Sequence, residues 1–322
     1  MTRILTQADV NRVLTLDDCI IAVEGIFRAY GERRIGGSQS IGFHGENGTF
    51  HIKAALGDVL AVKINANFPG NPQQNGLPTI QGLIVVIDSA RGTPLAILDS
   101  ILITTLRTAA ATAVAAKYLA RRDAERVTII GCGNQGRANL EALARVRTIR
   151  TAYAWDVSPE VAGHFAREMG ERLSIRFVDG GSLDESVAAS DIVVTCTPAR
   201  TPLLDETHLH EGLFIAGVGA DNHEKHELSP ALLAGSRVVV DVLEQAATMG
   251  DLHHAIAAGV MNREEIHGEL GDVLCGRVAA RSSEEEIFVF DSTGTALQDL
   301  AAASMAVTRA VERGIGQEIV FA

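Results

Sequence analysis

Apolar residues recur along this chain with two different periods, and the places where the period changes mark out its elements. Near the N-terminus, LTQADVNRVL and LDDCIIAVEGIFRAYGERR set polar, Asp-containing starts ahead of apolar positions three and four apart. That spacing predicts helices, ended by Gly36–Gly37. From Gly42 to about Asp99 the runs HIKAAL, VLAVKINANF, TIQGLIVVID and TPLAILD are short and β-rich, separated by GENG, PGNPQQNG and SARG turns. They predict an antiparallel or mixed sheet. A long Ala-rich helix is expected from about Ile103 to Arg122. Beyond Asp123, the buried-strand runs RVTIIGCG, TAYAWD, DIVVTCT, LFIAGVG and RVVVD alternate with helical segments, the pattern of βαβ units and a parallel sheet. The chain closes with IFVFDSTGTALQDLAAASMAVTRAVERG, which predicts a strand, a turn and a second Ala-rich helix. No internal repeat or low-complexity linker interrupts it.

Composition narrows the class. At 322 residues, the length predicts two domains. Only 4% of residues are aromatic, while 31 are Gly. Small aliphatic side chains suit helix-on-sheet layers and not a stacking platform for nucleic acid. A net charge of −12 opposes general binding of nucleic acid or of an anionic membrane, so an anionic ligand needs a local positive site. Cys19, Cys132, Cys196 and Cys275 form no CxxC pair, which points to neither a disulfide framework nor a zinc ribbon. Cys132 and Cys196, in apolar runs, are expected to be buried small hydrophobes. The start of the chain lacks a secretory pattern and no run is long enough to span a bilayer; a reducing cytoplasm is the expected compartment. The histidines His208, His210, His223, His226, His253 and His254 do not reach a metal-ligand spacing, and no metal is expected.

The strongest local signal is VTIIGCGNQGRANLEAL. A buried strand, Val127–Ile130, feeds Gly131-Cys132-Gly133-Asn134-Gln135-Gly136, and a helix follows directly. In this order Gly131 permits a tight turn, Gly133 lets a pyrophosphate touch the backbone, and Gly136 lets helix pack on strand. The helix N-terminus then offers unpaired N–H groups to the phosphates. Asp156 ends the next strand, at the spacing of an acid that binds the adenosine ribose, and favours NAD(H) over NADP(H). The loops opening at Thr197 and Gly219 follow two further strands and are candidates to line the same crevice; Thr197, before a proline, is equally read as a turn residue.

Five spaced motifs are similar to those of the ornithine cyclodeaminase/μ-crystallin family: AVKINANFPGN with Lys63, LRTAAATAVAAKYLA with Arg107, GCGNQG, GVGADNHEKHEL with Asp221, and FDSTGTALQDLAAA. The resemblance runs from about Lys63 to Ala303. It implies an α/β protein in which an NAD-binding Rossmann-type domain, residues 123–299, is inserted between two parts of an α+β substrate-binding and dimerisation domain, residues 1–122 plus 300–322. It also implies a homodimeric NAD(H)-dependent enzyme acting on α-amino or α-imino acids. Lys63 and Arg107 would engage the substrate carboxylate and neighbouring groups, Thr108 would lie near cofactor phosphates, and Asp221 would be the acid/base. Lys63 and Asp221 are thus the catalytic candidates.

Physical chemistry agrees with those roles. Arg offers a bidentate fork and Lys a point charge to a carboxylate, while a carboxylate stabilises an iminium and manages its proton. Structural alternatives stand beside them: a solvated Lys63, a packing role for Arg107, a helix cap at Asp221. The chain also departs from the resemblance. The Arg usual some two dozen residues before Lys63 is replaced by Gly37-Ser38-Gln39-Ser40, and the acid of ornithine-specific members by Phe50, followed by His51-Ile52-Lys53. With the acid missing and Lys53 added, the expected activity is NADH-dependent reduction of a small or dicarboxylic imino acid, such as iminosuccinate, iminopropionate or a cyclic ketimine. His51 joins Lys53 and Arg107 as a substrate-binding candidate. Ornithine cyclodeamination with bound NAD, and a non-catalytic nucleotide-binding protein, are the rival readings.

Overall fold

The computed structural model describes residues 1–321 and resolves two compact units, Met1–Arg107 with the C-terminal segment from Thr295, and Thr108–Gly294. The first unit opens with β1 (Thr2–Leu5), too short to register as a period in the sequence. The helices Gln7–Val13 and Leu16–Gly31 follow. Each is entered through a capping box, Thr6 with Asp9 and Thr15 with Asp18, which satisfies N–H groups that the first turn would leave open. β2 (Gln39–His44), β3 (Thr49–Leu56), β4 (Val59–Asn67), β5 (Ile80–Asp88) and β6 (Pro94–Asp99) then form an antiparallel meander, and β1 pairs in parallel with β6.

One face of that meander carries Ala55, Ala61, Ile84, Val86, Ala96 and Leu98, all buried. The register places Lys53 and Lys63 on the same face, directly opposite each other on β3 and β4. The other face is also apolar. Ile41, Ile52, Ile64 and Leu83 form one cross-strand row and Phe43 with Phe50 another, yet Ile41, Phe43, Phe50, Ile64 and Leu83 remain exposed. An antiparallel sheet with one solvated face ordinarily alternates apolar with polar, and this one does not.

The Ala-rich helix spans Ile101–Leu119, ending short of the expected Arg122. The Arg147 side chain explains the stop: its guanidinium donates to the carbonyls of Ala116, Lys117, Ala120 and Arg121. In the second unit β7 (Arg126–Ile130), β8 (Thr151–Trp155), β9 (Arg176–Phe177), β10 (Ile192–Thr195), β11 (Phe214–Gly217), β12 (Arg237–Val240), β13 (Gly268–Glu269) and β14 (Phe288–Asp291) form one parallel sheet. Its order is β13-β12-β14-β11-β10-β7-β8-β9, so the chain runs one way from β7 to β9 and the other way from β10. This is the doubly wound, Rossmann-type arrangement, inserted in sequence between the two parts of the first unit. After Thr295 the helix Ala296–Arg313 packs on the helix Leu16–Gly31 and on β3 and β4, and β15 (Gln317–Ile319) pairs with β1. The unit boundaries fall near the starts of the two Ala-rich helices, whereas the sequence places them at 122/123 and 299/300.

Candidate functional site

The glycine turn sits where the sheet order reverses. Gly131 has a left-handed φ of 98°, and a Cβ there would lie 2.8 Å from the Cys196 carbonyl oxygen. Gly136 presses against the same turn, since a Cβ would meet the Gly131 carbonyl at 2.3 Å. Gly133 is different: a Cβ would enter open space. It is the N-cap of the helix Asn134–Val146, and no side chain caps that end, so the first N–H groups at Asn134, Gln135 and Gly136 are left for an external anion. Beyond β8, Asp156 accepts hydrogen bonds from the backbone N–H groups of Cys132 (2.9 Å) and Ser158 (3.0 Å), which aims its carboxylate at the turn. A cavity of about 410 Å³ is lined by Gly131, Gly133, Trp155, Asp156, Thr197 and Pro198, among others. A bare helix end, an open-faced glycine, a fixed carboxylate and an adjacent cavity fit the diphosphate and ribose of a dinucleotide. Arg137 steadies the turn by donating to the Cys132 and Gly133 carbonyls while paired with Glu168. Cys132 is buried as expected, but Cys196 is only partly so, because it stands where β10 opens towards this cavity, its thiol 3.1 Å from the Gly131 carbonyl.

The loops after β10 and β11 are joined by a residue that the sequence left unremarked. Thr197 does not present a free hydroxyl. Its Oγ1 donates to Glu227 (2.7 Å) and accepts from the Ala199 N–H (3.2 Å). Gly219 donates its N–H to the same carboxylate at 2.7 Å. Asp221 lies two residues on, in a loop and not at a helix start. Its side chain is 55% exposed and paired with Lys225 at 2.7 Å. The cap-like role falls to Asn222, whose Oδ1 accepts from the N–H groups of Glu224 and Lys225.

In the first unit the basic candidates converge on one acid. Lys63 Nζ lies 2.7 Å from Asp299 Oδ2 and Arg107 Nε 3.0 Å from Asp299 Oδ1, while Arg107 Nη1 donates to Gln298 Oε1 at 2.5 Å. Lys53 is the cross-strand neighbour of Lys63. All four charged residues are buried, at 7% exposure for Lys53, 3% for Lys63, 5% for Arg107 and 1% for Asp299. Burial lowers the Lys63 pKa to about 7, with Arg107 adding to the effect and Asp299 opposing it. Burial alone would raise Asp299, yet Lys63 and Arg107 hold its carboxyl below the usual range. Lys53, Lys63, Arg107 and Asp299 thus bring several charged groups together out of water. His51 lies on β3 two residues from Lys53, its Nε2 at 3.1 Å from Thr49 Oγ1. Thr108 is buried next to Arg107 on the Ala-rich helix. Among the described residues, no group of three or more His, Cys, Asp or Glu side chains is placed to hold a metal ion.

Asp299 and Gln298 lie within FDSTGTALQDLAAA, a motif that carries the family resemblance but in which neither residue was given a role. Their signal was a polar Gln-Asp pair opening an otherwise Ala-rich helix.

Known proteins of the same fold supply the remaining comparison. The alanine dehydrogenase of Archaeoglobus fulgidus is 36% identical, over 99% of this chain and 98% of its own. An archaeal alanine dehydrogenase dimer solved with bound NAD superposes with a TM-score of 0.95 at 36% identity, covering 100% of this chain and 99% of that one. The iminosuccinate reductase of Paracoccus denitrificans, solved with NAD+, gives 0.92 at 30% identity, with 99% of each chain covered. With the family's own pattern matched over residues 1–314, this chain belongs to the ornithine cyclodeaminase/mu-crystallin family.

Proposed function

We propose that this protein is an NAD(H)-dependent oxidoreductase that reduces an α-imino acid to an L-amino acid, and that its substrate is a dicarboxylic imino acid of the iminosuccinate type. The observation that carries the substrate class is the buried cross-strand pairing of Lys53 with Lys63, beside Arg107, with Asp299 as the acid shared by Lys63 and Arg107. Like charges directly opposite on adjacent strands are destabilising. A bound dianion would relieve that repulsion, and Lys53 supplies the charge that a second carboxylate needs. The likeness to iminosuccinate reductase supports the same choice.

Within this reading the second unit binds the cofactor, with Gly131, Gly133, Asn134, Gln135 and Gly136 at the pyrophosphate and Asp156 at the adenosine ribose. Thr108, Thr197 and Gly219 belong to the cofactor's surroundings, Thr197 through its methyl and backbone. Bound NADH supplies the hydride to the α-carbon. In the first unit Lys63 and Arg107 are the groups for an α-carboxylate and Lys53 with His51 for a distal one; in the second unit Asp221 is the acid/base group for the iminium. The first unit forms a homodimer through the exposed apolar face of its sheet, as the dimeric alanine dehydrogenase makes natural. Among the described residues no helix is long and apolar enough to cross a membrane.

The test is NADH oxidation by the purified protein with a panel of 2-oxo acids plus ammonia and with cyclic imines. Oxaloacetate plus ammonia should give the highest kcat/KM. A preference for monocarboxylic or cyclic substrates would remove the dicarboxylate, and no turnover with any of them would overturn the enzymatic reading.

A further inference from the structure

Glu227 is fully buried, and its four hydrogen bonds all come from neutral groups. Oε1 accepts from the Thr197 N–H at 2.6 Å and the Thr197 hydroxyl at 2.7 Å; Oε2 accepts from the Thr195 hydroxyl and the Gly219 N–H, both at 2.7 Å. Burial pushes the Glu227 carboxyl up, and these four short bonds oppose that rise. One carboxylate therefore ties the carboxyl end of β10 to that of β11. Gly219 completes the junction, since a Cβ there would lie 2.3 Å from the Thr197 carbonyl and 2.6 Å from the Glu227 carboxyl.

Glu227 is itself held by further buried acids. Asp251 Oδ1 accepts the N–H groups of Glu227 (2.8 Å) and Leu228 (3.0 Å). Asp291, at the end of β14, accepts those of Asp251 (3.4 Å) and Leu252 (2.9 Å). Each carboxylate in this chain fixes the backbone that carries the next, and the last one fixes the two loops.

Those loops lie on a definite side of the nucleotide crevice. β8, with Asp156 at its end, flanks β7 on one side, and β10 and β11 lie on the other. A dinucleotide spread across the reversal point puts its adenosine at Asp156 and its nicotinamide towards β10 and β11. We propose that Glu227 is a positioning residue for the nicotinamide half of the site. It sets the spacing between the Thr197 and Gly219 loops without touching the cofactor. This inference rests on the cofactor reading given under the proposed function.

Glu227→Gln keeps the side-chain size but leaves one acceptor oxygen. Whichever way the amide turns, its NH2 faces a backbone N–H, that of Thr197 or that of Gly219, and one loop is released. NADH and ADP-ribose affinities of the full-length protein should therefore separate. We expect the NADH dissociation constant to rise about tenfold, equivalent to about 1.4 kcal/mol, with that of ADP-ribose within about twofold of wild type. The emission of bound NADH should also move towards that of the free dinucleotide. If both ligands weaken equally, or neither does, the positioning role is overturned. If Glu227→Gln does not fold, Thr195→Val, which removes a single donor to Glu227, should show the same split at a smaller size; equal affinities there overturn the proposal too. Wild-type protein that binds neither ligand would instead refute the cofactor reading itself.

Discussion

Lys63 carries the most testable chemistry of any single residue. With its pKa lowered to about 7, chiefly by burial and next by Arg107, it is charged below neutrality and loses its proton as pH rises. If Lys63 serves the proposed anion site, that site weakens upwards through pH 7. We expect kcat/KM for the imino acid to fall above about pH 7, approaching tenfold per pH unit, with NADH affinity unchanged over the same range. A profile flat to about pH 9 would remove Lys63 from substrate binding. Lys53→Met should raise KM for a dicarboxylic substrate about tenfold or more, the loss of one charge-assisted contact, and leave a monocarboxylic analogue nearly unaffected. Equal effects on both would make Lys53 a structural residue. For Asp221 the expectation is kinetic. Asp221→Asn should lower kcat by about 100-fold or more, as loss of an acid/base group does, with the NADH dissociation constant within about threefold. Equal losses in turnover and affinity would mean that Asp221 serves its loop through Lys225. At this scale Lys63 and Arg107 were legible through the motifs that resemble the family, and Lys53 through the chain's departure from that pattern. Their acid was not, since Asp299 lies 236 positions from Lys63 and 192 from Arg107, and no spacing rule links them. Glu227, Asp251 and Asp291 were missed for a related reason: acids are mostly exposed, and composition alone reads them as surface charge.

Among the elements, the strand–turn–helix from Arg126 to Val146 is where sequence and structure agree most closely, because each glycine answers a separate steric demand. Gly131 takes a left-handed φ, Gly136 permits contact with the turn, and Gly133 faces open space. Asp156 belongs to that element through its bond to the Cys132 N–H, though it ends the following strand. Asp156→Ser keeps a short hydrogen-bonding side chain and removes the charge that would repel a 2′-phosphate. The ratio of NADPH to NADH affinity should rise about tenfold or more when both are titrated. An unchanged ratio would move ribose recognition to another residue. Elements whose ends are set by distant groups were less legible. The Ala-rich helix has the propensity to continue past Leu119, and only Arg147, a residue of the second unit, shows why its last carbonyls find partners there. β1, four residues long, depends on β6 and β15 for its existence and so leaves no periodic trace.

For the whole molecule, the informative feature is a sheet apolar on both faces. The sequence carried this in plain view, because HIKAAL and VLAVKINANF contain too many apolar residues for a half-solvated strand, yet periodicity alone does not say which face meets the core. The register does: Lys53, Ala55, Ala61 and Lys63 share the buried face, which leaves the Ile41–Ile52–Ile64–Leu83 row and the Phe43–Phe50 pair outside. Covering an exposed Ile or Phe is worth about 1.5–3 kcal/mol for a side chain buried completely. These side chains are about half exposed, so each contributes a fraction of that value, and a face of this kind suits pairing of two copies about a twofold axis, the arrangement proposed above. Ile64→Glu places a charge in the middle of the row without altering the buried face behind it. We expect the wild-type protein to sediment as a dimer and Ile64→Glu as a monomer at micromolar concentration, with unchanged far-ultraviolet circular dichroism. Because the residues proposed to hold the cofactor lie in the other unit, the monomer should bind NADH within about threefold of wild type. A variant that remains dimeric would place the interface elsewhere, whereas one that loses its secondary structure would show that the exposed row supports the fold of the subunit itself.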